Sequence, residues 1–81
     1  MSRARNLVEV VARQLADKPD AVRVSEREAR GQTFVALQMA PGDLGRVIGR
    51  QGRTAAAIRT LVALAAELDG TKATVDFRDD D

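Results

Sequence analysis

Leu7, Val8, Val11, Ala12 and Leu15 recur at the three- and four-residue spacing of one helix face, while Arg5, Glu9, Arg13 and Gln14 fall on the others. Residues 3–16 are therefore predicted to form an amphipathic helix. Asp17-Lys18-Pro19-Asp20 stops it, because proline cannot continue a helix and disfavours helical geometry in the residue before it. From 21 to 28 the period changes to two. Val22, Val24 and Glu26 share one side and Arg23, Ser25 and Arg27 the other, as in a half-buried strand. Ala29-Arg30-Gly31 supplies a turn, and residues 32–40 form a second strand with Val35, Leu37 and Met39 inward and Phe34, Ala36 and Gln38 outward. So short a turn makes the pair an antiparallel hairpin.

Pro41-Gly42 ends this strand, and Asp43 is expected to cap a short helix through Val47 and Ile48. Gly49-Arg50-Gln51-Gly52 follows. A long helix is predicted over 53–68, closed by Asp69-Gly70. Residues 72–78 alternate again, with Ala73, Val75 and Phe77 inward and Thr74, Asp76 and Arg78 outward. Asp79-Asp80-Asp81 is expected to be a frayed acidic tail. The order is α-β-β-α-α-β. The last strand arrives after two helices, so it is free to lie parallel to a member of the hairpin. The expectation is an α+β fold in one domain, 1–81: a three-stranded mixed sheet with three helices packed on one face.

Composition narrows the function. The 81 residues contain no His, Cys, Trp or Tyr, and Phe34 and Phe77 are the only aromatics. Disulfides, zinc fingers, iron–sulfur sites and thiol nucleophiles are excluded, and the commonest general base is missing. Ser2, Ser25 and the threonines have no histidine to activate them, and the aspartates of the tail are a solvated charge run rather than a metal site, so catalysis is not expected. No stretch approaches the roughly 18 apolar residues of a membrane span. The N-terminus leads straight into an amphipathic helix rather than a signal peptide, so a cytoplasmic location is expected. Positive charge is carried by 11 Arg and two Lys; arginine forks suit phosphate, although a GC-rich genome gives the same bias. The net charge of +1 announces no partner. Along the chain, however, residues 42–60 carry four Arg (46, 50, 53, 59) against Asp43, and residues 67–81 carry six acids against two bases.

The cationic segment contains Gly45-Arg46-Val47-Ile48-Gly49-Arg50-Gln51-Gly52-Arg53-Thr54. Its spacing fits neither a Walker A loop nor a dinucleotide fingerprint, since Val47 stands where each needs glycine and Arg53 where the first needs lysine. What remains is a Gly-x-x-Gly joint between two helices. Its glycines admit positive φ and close backbone approach, and it opens onto a helix N-terminus whose free N–H groups favour phosphate. A bare pair of glycines would be no more than a tight turn; Val47-Ile48 before it, arginines around it and Ile58 after it make a longer pattern.

Val47-Ile48-Gly49-Arg50-Gln51-Gly52 followed by Ile58 resembles the signature of K-homology (KH) RNA-binding domains, and the element order is that of their bacterial, type II arrangement. Asn6-Leu7, the Pro19-Asp20-Ala21 break, Gly45-Arg46-Val47-Ile48-Gly49 and Ala57-Ile58-Arg59-Thr60-Leu61-Val62 resemble the small stand-alone KH proteins of the KhpA (YlqC-like) family over essentially the whole chain. The resemblance implies a clamp on about four single-stranded nucleotides. By position Gly49, Arg50, Gln51 and Gly52 would form that clamp, with Arg46 and Arg53 beside it and an aliphatic groove for the bases. It also implies RNA chaperone activity without cofactor or small-molecule substrate, a larger KH partner of the KhpB (Jag/EloR) type, and a link to cell elongation and envelope growth. One departure is Ala55, where the pattern has a large aliphatic residue; the smaller side chain would make the groove floor shallower.

The long helix carries a second pattern. Ala55, Ile58, Val62 and Ala65 form one stripe, and Ala57, Leu61, Leu64 and Leu68 widen it to an apolar arc of roughly 180°, more than a surface helix needs. Either the helix is deeply buried, or Leu61, Leu64 and Leu68 form a dimer surface, with a second copy or with a KhpB-type partner. A KH-shaped scaffold that acts mainly through a partner protein is the alternative to RNA binding.

Overall fold

The computed structural model describes residues 1–79, with nothing stated for the Asp79 side chain. Helix α1 spans Arg3–Leu15, strand β1 Arg23–Ala29, β2 Gln32–Met39, α2 Pro41–Ile48, α3 Arg53–Leu68 and β3 Lys72–Asp79. Short 3-10 turns occupy Pro19–Ala21 and Arg50–Gly52. The expected order stands, with boundaries moved by a residue or two. β3 runs through Asp79, which corrects the expected tail at that residue; the rest of that expectation, Asp80 and Asp81, lies outside the described residues.

The sheet order is β1-β2-β3, with β1 antiparallel and β3 parallel to the central β2. The hairpin turns at Arg30-Gly31, both with positive φ (53° and 77°), the two-residue geometry whose twist matches the strands. Period-two alternation is sharp in β2: Thr33, Val35, Leu37 and Met39 are buried, and the residues between them are half-exposed. Onto this inner face pack Ala4, Val8 and Ala12 of α1, Val47 of α2, and Ile58, Val62 and Ala66 of α3, with Val75 from β3. All three helices thus cover one side of the sheet.

Polar contacts fix the helix ends. Ser2 caps α1, its hydroxyl accepting from the Arg5 N–H and donating to Glu26 of β1. Glu26 also accepts from the Ser2 backbone N–H at 3.1 Å, which accounts for a carboxylate on the inward side of a strand. These bonds, the Ser2 hydroxyl first, hold Glu26 below the usual carboxylate range against the opposing effect of burial.

Asp43 corrects an expectation. The residue at the α2 cap is Ala40, and Pro41 takes the first helical position, where a missing N–H costs nothing. Asp43 lies inside the first turn, buried, and accepts from the backbone N–H groups of Asp17 (3.1 Å) and Lys18 (2.8 Å). It is a latch between α2 and the end of α1. The Lys18 N–H chiefly, then that of Asp17 and the Arg46 guanidinium, hold its carboxyl below the usual range, while burial pushes the other way.

Candidate nucleic-acid interface

The joint between α2 and α3 is shaped by backbone geometry. Val47 is fully buried and anchors the end of α2. Gly49 then leaves the helix at φ 75°, its N–H still bonded to the Gly45 carbonyl at 2.9 Å. A Cβ at Gly49 would lie 2.7 Å from the Thr54 Cβ and 3.0 Å from its backbone nitrogen. No side chain fits there. Gln51 (φ 57°) and Gly52 (φ 71°) continue in the left-handed region, and the Gly52 N–H closes the turn on the Gly49 carbonyl at 3.1 Å. α3 starts with no side-chain cap and no acidic residue in its first turn. The Arg53 N–H closes back on the Arg50 carbonyl, and the positive end of the α3 dipole, uncompensated by any side chain, faces outward where it favours an anion.

The predicted site residues are not equivalent in this setting. Gly49, Arg50, Gln51 and Gly52 form one continuous turn at the mouth of α3. Arg50 is exposed, and its side chain makes no hydrogen bond or ion pair among the described residues. Arg53 donates to the Gln51 side-chain oxygen at 3.0 Å, which ties the start of α3 to the turn. Arg46 turns elsewhere: its guanidinium lies 3.2 Å from Asp17 and 3.6 Å from Asp43, so it belongs to the latch between α1 and α2. Leu61, Leu64 and Leu68 are 48%, 54% and 74% exposed. The apolar arc of α3 is therefore split. Ala55, Ile58, Val62 and Ala66 face the core, with Ala66 rather than Ala65 at its end, while the leucines line solvent.

Arg59 was not singled out by spacing. It reaches from α3 toward β3, its guanidinium 4.8 Å from the centre of the Phe77 ring, a favourable cation–π distance. With Val62, Ala73, Thr74 and Val75 it lines a cleft of about 130 Å³ between α3 and the edge strand β3. That pairing depends on how helix and strand pack, which no local pattern encodes. The acidic C-terminal third is also altered by folding. Asp69 accepts from the Arg3 backbone and side chain (2.9 and 2.6 Å), and Asp76 pairs with Arg78 at 2.7 Å. Those two carboxylates are neutralised where they stand.

Three helices over a mixed three-stranded sheet, with a glycine-bounded turn joining the second and third helices, define a KH domain. The family model described as "KhpA/KhpB, KH domain" matches residues 5–77, and the chain belongs to that family. It is 52% identical over 60 residues to the RNA-binding protein KhpA of Caldanaerobacter subterraneus subsp. tengcongensis, covering 74% of this chain and 80% of that one. It is 43% identical over 73 residues to the RNA-binding protein KhpA of Clostridium perfringens, covering 90% and 97%. It is 46% identical over 70 residues to that of Leifsonia xyli, covering 86% and 90%. Among solved structures, Era in complex with MgGDPNP and nucleotides 1506–1542 of 16S ribosomal RNA matches with a TM-score of 0.62 at 17% identity, over 94% of this chain and 29% of the Era chain. At that identity the likeness is one of fold.

Proposed function

We propose that the protein is a non-catalytic KH module that binds single-stranded RNA through the turn from Gly49 to Gly52. The observation that carries this is the geometry of that turn: Gly49, Gln51 and Gly52 at positive φ before an uncapped α3, with Arg50 exposed beside it. A phosphate backbone approaches closely only where side chains are absent, and N–H groups with arginine forks then hold it without reading sequence. Arg50, Gln51 and Arg53 form the polar wall of the clamp. Arg46 supports it from behind by fixing α2 against α1, and Arg59 marks the cleft along which the bases would lie. The names of the relatives support RNA as the ligand. Replacing Arg50 and Gln51 with Asp places two negative charges in the turn and tests the assignment: the variant is expected to fold normally and to lose binding of a short single-stranded oligonucleotide.

The exposed Leu61, Leu64 and Leu68 favour a second element of function, assembly with another KH chain. A second copy or a KhpB-type partner would bury these side chains and bring two clamps together, raising affinity through effective concentration. RNA chaperone activity and a role in cell elongation and envelope growth follow from the family resemblance and are part of the same proposal. A scaffold acting through a partner alone predicts that capture of that partner survives both RNase treatment and loss of the clamp.

A further inference from the structure

All three helices lie on one side of the sheet, which leaves its other side open. Strand register and alternation place Arg23 and Arg27 of β1, Phe34 of β2, and Lys72, Asp76 and Arg78 of β3 on that open side. Among the described residues, four cations face a single acid there, a net +3. The acid is already spent, since Asp76 pairs with Arg78. Arg23 bonds only the carbonyls of Asp20 and Val22, which satisfy donors without cancelling charge. Arg27 lies 4.6 Å over the Phe34 ring. Beside it the short side chains of Ser25, Ala36 and Thr74 leave a trough of about 370 Å³ down the middle of the face. The trough is bordered by arginine at both edges, with one aromatic ring in its wall.

The position of this face relative to the clamp matters. α3 passes into β3 through Gly70-Thr71, and Arg59 packs on Phe77, so helix and strand run antiparallel. The clamp at the start of α3 and the Arg78 end of β3 therefore share one end of the molecule. β3 is an edge strand, so no further strand separates the α3–β3 cleft from the open face. We propose that the open sheet face is a second RNA-contacting surface, which takes up the single strand where it leaves the clamp. This rests on the clamp reading above and adds a site for longer RNA. The excess positive charge, with its one acid neutralised, selects a polyanion as occupant. The trough admits a flexible single strand, and the Arg27 guanidinium, held over Phe34, offers a base a flat stacking surface.

The test compares oligouridines of about six and about thirty nucleotides, since a clamp holds about four nucleotides and only the longer strand reaches both surfaces. Arg23→Gln/Arg27→Gln is expected to bind the short oligonucleotide as the unsubstituted protein does. It should bind the long one about tenfold more weakly, with a salt slope smaller by about 1.4 for two lost phosphate contacts. Lys72→Gln/Arg78→Gln, on the other edge strand, is expected to behave alike and guards against a folding defect in the first pair. Arg3→Gln/Arg13→Gln removes the same charge from the helical side and is expected to keep long-RNA affinity. Unchanged long-RNA affinity in both sheet variants overturns the proposal, and so does an equal loss in the helical-side control. Arg50→Asp/Gln51→Asp separates the two readings: short-RNA binding that survives it refutes the clamp, whatever the sheet variants do.

Discussion

At Gly49 two constraints coincide, a φ of 75° and the overlap of any Cβ with Thr54. At Gly52 only the first applies, since nothing lies within 4 Å of a built Cβ. Gly52→Ala is therefore expected to cost about 1 kcal/mol, the ordinary penalty of a left-handed L-residue. Gly49→Ala is expected to cost about 2–3 kcal/mol, as strain at an over-determined position does. Urea denaturation of the two variants checks the difference, and equal costs would contradict it. The glycines were legible in the sequence because their spacing stood out. Asp43 is not legible in the same way, because a local rule assigns an aspartate just after Pro-Gly to a cap, whereas its actual partners are the Asp17 and Lys18 N–H groups some 25 positions away. Its lowered pKa sets the sign of a pH effect. The stabilisation is complete above the ordinary aspartate value of 3.8 and is lost as pH falls through the lower folded value. Thermal melts of the wild type and of Asp43→Asn between neutral pH and about pH 3 should therefore converge toward acid. A gap independent of pH would show that the carboxylate is not the stabilising species.

Among the elements, α3 shows both what periodicity reveals and where it stops. Its limits, 53–68, could be read from helix formers bounded by Gly52 and Gly70, and the structure keeps them. Which half of its apolar arc faces inward could not be read, because a helical wheel describes the helix and not its neighbours. The sheet and α1 take the stripe from Ala55 to Ala66 and leave Leu61, Leu64 and Leu68 outside. A buried Leu64 would make Leu64→Asp a folding mutation. At 54% exposure the change is instead expected to leave the melting temperature within a few degrees of wild type, as surface substitutions do. It should also lower the mass seen in sedimentation to that of a single chain. An unchanged mass would remove the α3 leucines from the proposed assembly surface. A parallel partner for β3 within the hairpin is legible for a topological reason, since a strand that returns after two helices has the connection length a parallel neighbour requires, but that the partner is β2 is not.

For the molecule as a whole, counting charge along the chain reveals its polarity but not where folding carries each charge. Two of the six acids near the C-terminus are paired by folding. Folding sets Asp69 against Arg3 and Asp76 against Arg78, and the alternation of β1 and β3 gathers cations from distant segments onto the open sheet face. Sequence separation hides such a surface, because each strand contributes only two of the four charges. The arginines around the Gly49–Gly52 turn, by contrast, are neighbours in sequence, and folding keeps Arg50 and Arg53 at the turn while drawing Arg46 into the latch. Both surfaces predict RNA binding that weakens with salt. A clamp making three or four contacts to a single strand gives a log–log slope of only about −2 to −3.

The most direct test of the clamp is the affinity of Arg50→Asp/Gln51→Asp for a short single-stranded oligonucleotide, measured by fluorescence anisotropy at matched salt. Circular dichroism and melting of the same sample establish that it is folded. The expected result is a native fold with binding weakened at least about a hundredfold, since charge-assisted phosphate contacts are replaced by like-charge repulsion. A folded variant that binds as tightly as the unsubstituted protein would show that the Gly49–Gly52 turn does not hold RNA.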